Sequence, residues 1–93
     1  MEIASNNIEQ MIEIAKVPKY TMGVTVRLTG VAAARIRHYE EGGLLEPVRT
    51  TGGQRLFSDV DIELIREIAR LEDEGSNIDG IKIILAIRRG DRR

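Results

Sequence analysis

The sequence predicts a mostly helical fold, a winged helix-turn-helix with a short two-stranded wing and an N-terminal amphipathic helix. Two observations lead to this prediction. The segment Leu28-Thr29-Gly30-Val31 places a glycine turn between two short helical patterns, which is typical of a helix-turn-helix. Further along, Gly52-Gly53 stands between two short strand-like runs and is followed by Gln54-Arg55-Leu56-Phe57, as expected of a hairpin with a glycine tip.

Three helices are predicted before the wing. The first, near residues 6–16, is amphipathic because apolar residues recur at helical spacing until Pro18 stops the pattern. A short second helix is predicted over residues 23–28 and a third over residues 32–41, which Gly42-Gly43 closes. The apolar stripe of the first helix consists of Ile8, Met11, Ile12 and Ala15.

The wing follows the third helix. Residues 45–57 are predicted to form its two strands, with Pro47 at a strand start or on an edge, because proline cannot donate a backbone hydrogen bond. The chain then divides into three parts: an N-terminal extension over residues 1–18, a winged helix-turn-helix domain over residues 19–88, and a basic tail over residues 89–93.

Two more helices are predicted after the wing. Ser58 followed by Asp61 resembles a capping box, which predicts a fourth helix that ends near Glu74. A fifth helix is predicted over residues 78–88. The inward residues of the fourth helix would be Val60, Leu64, Ile65, Ile68 and Leu71, and those of the fifth would be Ile81, Ile84, Leu85 and Ile87.

Charge is unevenly distributed along the chain, although the net charge is only −1. Residues 16–57 carry seven cations and three acids, whereas residues 58–80 carry two cations and eight acids. A phosphate backbone senses local charge, within a screening length of about 8–10 Å. Eleven of the fourteen cations are arginine, whose planar guanidinium suits phosphates and guanine edges. The basic segment therefore points to double-stranded DNA as the partner.

Composition excludes several classes of protein. The chain has no cysteine and one histidine, His38, so neither a disulfide nor the usual Cys/His zinc site is expected, and no cofactor is expected either. No apolar run approaches the length of a membrane span, and a cytoplasmic, nucleoid-associated protein is the expectation. Ser58 and Asp61 are explained as a helix cap, so we do not expect an enzyme.

The third helix carries the candidate base-reading side chains. On a helical wheel Ala34 and His38 lie on an exposed strip, with Arg35 and Arg37 on its two flanks. A helix of this kind fits a major groove about 12 Å wide, where Ala34 would permit close approach. Tyr39 would pack its ring in the core and place its hydroxyl on a phosphate. The alternatives are a solvated charged face and a tyrosine that serves the core alone.

Three further side chains are candidates for DNA contacts outside the third helix. Arg55, beside Gln54 at the hairpin, is placed to reach the adjoining minor groove or its phosphates. Arg27, in the second helix, is a weaker candidate. An ordinary surface side chain is the alternative for each of them.

Several motifs over residues 20–88 resemble the DNA-binding domain of the MerR family of bacterial transcription regulators. The motifs are Tyr20-Thr21-Met22-Gly23, Leu28-Thr29-Gly30-Val31, Ile36-Arg37-His38-Tyr39-Glu40 and Gly53-Gln54-Arg55-Leu56-Phe57-Ser58. The run from Glu74 to Lys82 is similar in particular to the subgroup that contains the heat-shock repressor and the glutamine-synthetase repressor. The resemblance implies that Arg37 and Tyr39 contact DNA from the recognition helix and that Arg55 does so from the wing.

Two residues depart from the family pattern. Ala32 stands where the family usually has a serine N-cap, whose loss costs a helix about 1 kcal/mol. Ala34 stands where relatives of the glutamine-synthetase repressor often carry a base-reading arginine, so the operator sequence does not follow from the resemblance. Arg35, one position on, is the candidate replacement for that contact.

The expected function is sequence-specific regulation of transcription, as a repressor, by a homodimer on a palindromic operator whose half-sites lie about 34 Å apart or a small multiple of that. The first helix would supply the dimer interface through Ile8, Met11, Ile12 and Ala15, or would pack on its own domain. RNA polymerase or a regulatory protein is a further expected partner, and a membrane is not. The rival functions are a DNA-architectural protein of the excisionase type and a protein-interaction module that has lost DNA binding.

Overall fold

A computed structural model describes residues 2–90, and side chains from residue 7 onward. The basic tail was predicted over residues 89–93, and of these positions 91–93 lie outside the described residues. Five helices and a two-stranded antiparallel sheet follow one another along the chain, which confirms the predicted fold class. The elements are α1 Glu2–Ala15, α2 Met22–Thr29, α3 Ala33–Glu41, β1 Val48–Arg49, β2 Arg55–Leu56, α4 Asp59–Asp73 and α5 Ile78–Arg88.

Helices α2 and α3 form the helix-turn-helix. Gly30 caps α2 with a φ of 72°, and its N–H donates to the Val26 carbonyl at 2.8 Å. A residue with a side chain rarely adopts this backbone conformation, so the turn depends on glycine. The Thr29 hydroxyl donates to the Thr25 carbonyl and accepts from the Val31 N–H, at 2.8 and 3.1 Å. These bonds fix the angle at which α3 leaves the turn.

The wing is a short antiparallel hairpin in which Val48 pairs with Leu56 and Arg49 with Arg55. Its tip turns at Gly53, which has a φ of 86° and donates to the Thr50 carbonyl at 2.9 Å. The hairpin therefore turns at the predicted glycine pair.

Helix α4 begins with the predicted capping box. The Ser58 hydroxyl accepts from the Asp61 N–H at 3.1 Å, and the Asp61 carboxylate accepts from the Ser58 N–H at 2.9 Å. Beside this cap, the Tyr20 hydroxyl donates to Asp59 at 2.6 Å and the Lys19 ammonium pairs with Asp59 at 3.1 Å. The segment before α2 is therefore fastened to the start of α4.

The core lies where α2, α3, α4 and α5 meet the wing. Two predicted core residues are wrong: Val60 is 45% exposed and Ile87 is 67% exposed. Ile62, which was not predicted, is buried in α4 instead of Val60. The buried hydrophobic residues are Val31, Ile36, Tyr39, Leu44, Leu45, Phe57, Ile62, Ile65, Ile68, Ala69, Leu71 and Ile81.

Helix α1 stands apart from this core. The main contacts between elements join α2 with α4, α4 with α5, the two strands, and α2 with α3, and none of them involves α1. The radius of gyration is 14.7 Å, whereas a compact chain of this length has a value near 12 Å. The difference agrees with a helix that projects from the domain.

Candidate nucleic-acid interface

Helix α3 exposes one face and buries the other, as its sequence predicts. Ile36 and Tyr39 are fully buried, whereas Ala34, Arg37 and His38 are exposed. Each of these exposed residues was a predicted DNA contact. The predicted loss of the N-cap also holds, because the cap residue Ala32 makes no side-chain hydrogen bond. The helix therefore depends on its neighbours for its position.

An open cleft lies between the start of α2, the recognition helix α3 and the tip of the wing. The cleft brings together three predicted contact residues, Arg37, Gln54 and Arg55, although they lie up to 18 positions apart in the sequence. Its other lining residues are Thr21, Met22, Gly23 and Gly53. None of these lining residues is acidic. The cleft therefore offers two guanidinium groups and an amide to an anionic partner.

The start of α2 adds backbone donors to this cleft. Thr21 caps the helix with its hydroxyl, which accepts from the Val24 N–H at 3.3 Å. Met22 and Gly23 form the first turn, where a helix has unpaired N–H groups and the positive end of its dipole. Phosphates bind well at such a position. Sequence reasoning assigned no DNA contact to residues 21–23; Thr21 before an apolar helix was the available signal.

Arg37 is the most available cation in the cleft. It is exposed, and no ion pair or hydrogen bond of its side chain occurs within residues 7–90. By contrast, Arg55 donates through Nε to the Glu40 carboxylate at 2.6 Å. The two arginines therefore differ: the Arg37 guanidinium has no partner among the described side chains, whereas Arg55 is held by the Glu40 carboxylate and keeps its remaining N–H groups.

Glu40 joins the recognition helix to the wing. Its carboxylate accepts from Arg55 in β2 at 2.6 Å and from Arg49 in β1 at 3.2 Å, while Arg49 also donates to the Gly53 carbonyl at 3.0 Å. Burial raises the pKa of Glu40, but the bonds from the two arginines outweigh burial and leave that pKa below its usual value. Glu40 thus stays charged and fixes the distance between α3 and the hairpin. Sequence reasoning gave Glu40 no role.

Arg35 and Tyr39 face α4 rather than the exposed strip, and their predicted DNA contacts stay predictions. The Arg35 guanidinium donates to Glu72 at 2.6 Å and to Asp73 at 3.3 Å. The Tyr39 hydroxyl donates to the same Glu72 at 2.8 Å, and the residue has 0% exposure. A phosphate contact by Tyr39 would require the hydroxyl to leave both its carboxylate and its buried position. In this structure both side chains hold α3 against α4.

The pKa values of this cluster follow from its hydrogen bonds. The bonds from Arg35 and Tyr39 lower the pKa of Glu72, so the carboxylate stays ionised. Burial and the hydrogen bond to Glu72 raise the pKa of Tyr39 to about 12, so its hydroxyl keeps its proton. The cluster is therefore fully formed at neutral pH.

Besides Arg35 and Tyr39, three more predicted contacts lie outside the cleft. Ala34 and His38 are exposed on the strip of α3, and Arg27 is exposed in the last turn of α2. They stay predictions. Along residues 2–90, no helix is long and apolar enough to cross a membrane.

The predicted dimer residues of α1 lie largely in solvent. Ile8 is 58% exposed, Met11 67% and Ile12 49%, while Ala15 is half-buried. The alternative that α1 packs on its own domain is therefore not what this structure shows, because packing would cover these side chains.

Comparison with known proteins adds three findings. The family model described as MerR HTH family regulatory protein matches residues 20–86. The transcriptional regulator GlnR of Bacillus anthracis is 42% identical over 71 residues, which cover 76% of this chain and 55% of that protein. The heat shock protein HspR of Streptomyces coelicolor is 41% identical over 71 residues, which cover 75% and 47%.

A solved structure is also similar. It is the crystal structure of HiNmlR, described as a MerR family regulator lacking the sensor domain, bound to promoter DNA; the TM-score is 0.71 at 26% identity, and the match covers 78% of this chain and 56% of that one. The chain spans about half the length of the GlnR and HspR relatives. The family model covers most of the chain, and the observed helix-turn-helix and wing agree with it. The chain thus belongs to the MerR HTH family of regulatory proteins.

Proposed function

We propose that the protein binds double-stranded DNA of a specific sequence and regulates transcription as a homodimer. The cleft formed by α2, α3 and the wing is the observation that carries the proposal. It holds Arg37, Gln54 and Arg55 beside the first turn of α2, with no acidic residue in its lining. Because DNA presents one phosphate charge every few ångströms, such a cleft gains affinity by displacing counterions. The solved relative bound to promoter DNA supports the same reading.

The exposed face of α3 would supply sequence discrimination. Ala34 leaves room for the helix to approach a base edge, while Arg37 has a free guanidinium that can donate two parallel hydrogen bonds to guanine. Arg55, fixed by Glu40, would contact a phosphate or the minor groove from the wing. Arg37 would thus read the base sequence, while Arg55 and the first turn of α2 would position the domain on the phosphate backbone.

A homodimer would place two recognition helices on an inverted repeat, with half-sites about one helical turn apart or a small multiple of it. The exposed apolar strip of α1, formed by Ile8, Met11, Ile12 and Ala15, supports the assignment of residues 1–18 as a dimerising extension. We propose repression as the mode of regulation, because the similarity to GlnR and HspR agrees with the subgroup of repressors that the sequence resembles. A dimer whose operator overlaps a promoter would compete with RNA polymerase for the same DNA.

The first test is selection of bound duplexes from a random pool, followed by titration of the selected sequence at two salt concentrations. An enriched inverted repeat with steeply salt-dependent affinity is expected. A short footprint without strong bending would favour a regulator over an architectural protein, because the latter deforms its site. If no sequence is enriched and no duplex binds, the proposal fails and a protein-interaction module becomes the better explanation.

The second test uses Arg37→Ala with Arg70→Ala as its matched control. Arg70 is an exposed arginine of α4 whose ion pairs to Glu67 and Glu74 lie at the surface. Arg37→Ala should weaken operator binding by about 1–3 kcal/mol, or roughly 5- to 150-fold, if the side chain reads a base. Arg70→Ala should bind like the parent protein. Equal affinity of the two variants in fluorescence anisotropy would remove Arg37 from the interface.

A further inference from the structure

Two arginines of the wing stand opposite each other across the hairpin. Arg49 in β1 and Arg55 in β2 are direct partners in the register of the two strands. Like charges at opposite positions repel each other and destabilise a sheet. Glu40, in the last turn of α3, accepts one hydrogen bond from each of them, through Oε1 from Arg55 at 2.6 Å and through Oε2 from Arg49 at 3.2 Å. One carboxylate therefore holds both cations.

We name Glu40, Arg49 and Arg55 the wing clamp. Two guanidinium charges and one carboxylate charge leave the clamp with a single net positive charge. Within residues 7–90 no other carboxylate forms an ion pair with either arginine. The charge that the two arginines present to a partner thus depends on Glu40.

The clamp treats its two arginines differently. Arg49 donates through one terminal nitrogen to Glu40 and through the other to the Gly53 carbonyl at 3.0 Å, so both terminal nitrogens have acceptors within the domain. Arg55 donates to Glu40 through Nε, so its two terminal nitrogens keep their N–H groups. Arg55 lines the cleft beside α3, and Arg49 does not. The clamp therefore offers Arg55 to the cleft in one orientation and withholds Arg49.

Specific and nonspecific DNA complexes place different demands on the wing. Nonspecific affinity comes from the number of phosphates that cations neutralise, so a second released arginine would raise it. A specific complex needs the wing at a fixed place relative to α3, because phosphate contacts set the register of the helix that reads the bases. Specificity is the difference between the two affinities. A carboxylate that withholds one cation and fixes the other increases that difference.

We propose that Glu40 is a positioning residue that determines specificity: it prevents Arg49 from binding duplex DNA of any sequence, and it holds Arg55 at a fixed place relative to α3. Glu40 acts through the two arginines and does not itself contact the DNA. The inference rests on the DNA binding proposed above and assigns part of its sequence discrimination to a carboxylate.

Glu40→Gln tests the inference, because glutamine keeps the size of the side chain and removes its charge. Glu67→Gln is the matched control. Glu67 also accepts from two arginines, Arg70 and Arg88, so its substitution changes the net charge equally, but Glu67 lies in α4 and does not line the cleft. Parent and variants are titrated in fluorescence anisotropy with the duplex selected from the random pool and with a scrambled duplex of the same composition, at two salt concentrations.

Glu40→Gln should bind the scrambled duplex more tightly and with a steeper dependence on salt. One additional phosphate contact changes log affinity by about 0.9 for a tenfold change in salt, so the gain is up to about eightfold at about 0.1 M salt. The ratio of the affinities for the selected and the scrambled duplex should fall by about two- to tenfold, which is the cost of ordering one released long side chain on binding. Glu67→Gln should match the parent in both affinities.

A double variant, Glu40→Gln with Arg49→Gln, separates charge from position. It restores the single positive charge of the clamp without the carboxylate that fixes Arg55. Affinity for the scrambled duplex and its salt dependence should return to the parent values, whereas the ratio of the two affinities should stay low. Because this variant also removes the repulsion between the two arginines, it tests the positioning role even if Glu40→Gln alone destabilises the wing. Full recovery of the ratio would refute that role.

Other results would overturn the inference and leave the proposed function intact. If Glu40→Gln lost affinity for both duplexes equally and kept the salt dependence of the parent, Glu40 would have a structural role only. Identical titrations of Glu40→Gln and Glu67→Gln would likewise exclude a role in discrimination. If the parent itself did not distinguish the selected from the scrambled duplex, the proposed specific binding would fail, and the inference would fail with it.

Discussion

Replacement of Thr25 by valine should stabilise the protein. Thr25 lies in α2 with 0% exposure, and its hydroxyl oxygen has no hydrogen-bond partner. Helix α2 packs against α4 and α3, and Thr25 is the buried residue of this helix. Valine keeps the branched shape of threonine and replaces only the hydroxyl by a methyl group. Thr25→Val therefore removes a desolvated polar atom and leaves the packing in place.

The expected gain follows from the cost of an unsatisfied buried group, which is about 1–3 kcal/mol. We expect the free energy of unfolding to rise by about 1 kcal/mol, the lower end of that range, because the hydroxyl can relax slightly toward a backbone carbonyl of its own helix. For a domain of this size 1 kcal/mol shifts Tm by about 4–8 °C. Urea titration and thermal melting would each resolve such a change.

Thr29→Val is the matched control, since the same substitution in the same helix should have the opposite effect. The Thr29 hydroxyl makes two hydrogen bonds, to the Thr25 carbonyl and from the Val31 N–H. Its removal should lower the free energy of unfolding by about 1–2 kcal/mol. If Thr25→Val were neutral or destabilising while Thr29→Val behaved as expected, the reasoning about Thr25 would be refuted, because its hydroxyl would then be satisfied.

Two further predictions concern stability. Gly42→Ala should lower the free energy of unfolding by about 1–3 kcal/mol, because the added Cβ would lie 2.7 Å from Cγ2 of Ile78. Gly52→Ala is the control and should be nearly neutral, because the nearest atom to its added Cβ is 3.8 Å away. Equal urea midpoints for the two variants would contradict this prediction. The hydrogen bond from Arg35 lowers the pKa of Glu72 in the folded state. The stabilisation that ionised Glu72 gives the fold is therefore complete above its unfolded pKa of about 4.3, and it is lost as pH falls through the lower folded pKa. Between about pH 6 and pH 3 the parent should therefore lose more stability than Glu72→Gln in denaturant titrations, and equal losses would refute the role of Glu72.

The order of the elements could be predicted because local chemistry specifies it. The Ser58 and Asp61 capping box and the glycine at position 30 act within a few residues, and both occur as expected. The inward face of α4 could be predicted only in part, because Val60 satisfies helical spacing as well as Ile62 does. Spacing alone does not choose between two overlapping stripes, and contact with the other helices buries Ile62.

The ion-pair partners of Arg35 and Arg37 could not be predicted either, because helical spacing does not show which distant element each side chain meets. Arg35 and Arg37 flank the exposed strip of α3 symmetrically on a helical wheel. Only the position of Glu72, on an element 37 residues away from Arg35, turns Arg35 toward α4. Arg37 meets the wing and the start of α2 and stays unpaired among the described side chains. Ion pairs between distant elements depend on tertiary structure and leave no periodic signal in the sequence.

Helix α3 is held in position within the free domain, and two carboxylates account for this. Helix α3 has nine residues and no side-chain N-cap, so it would be marginal in isolation. Glu72 fastens α3 to α4 through Arg35 and Tyr39, while Glu40 fastens the last turn of α3 to the wing. Glu40 accepts from two arginines and Glu72 from an arginine and a tyrosine, so each carboxylate has at least one cationic partner within the domain. The free protein thereby already orders α3 for the proposed interface, and Arg37, which has no partner among the described side chains, remains available for the proposed DNA contact.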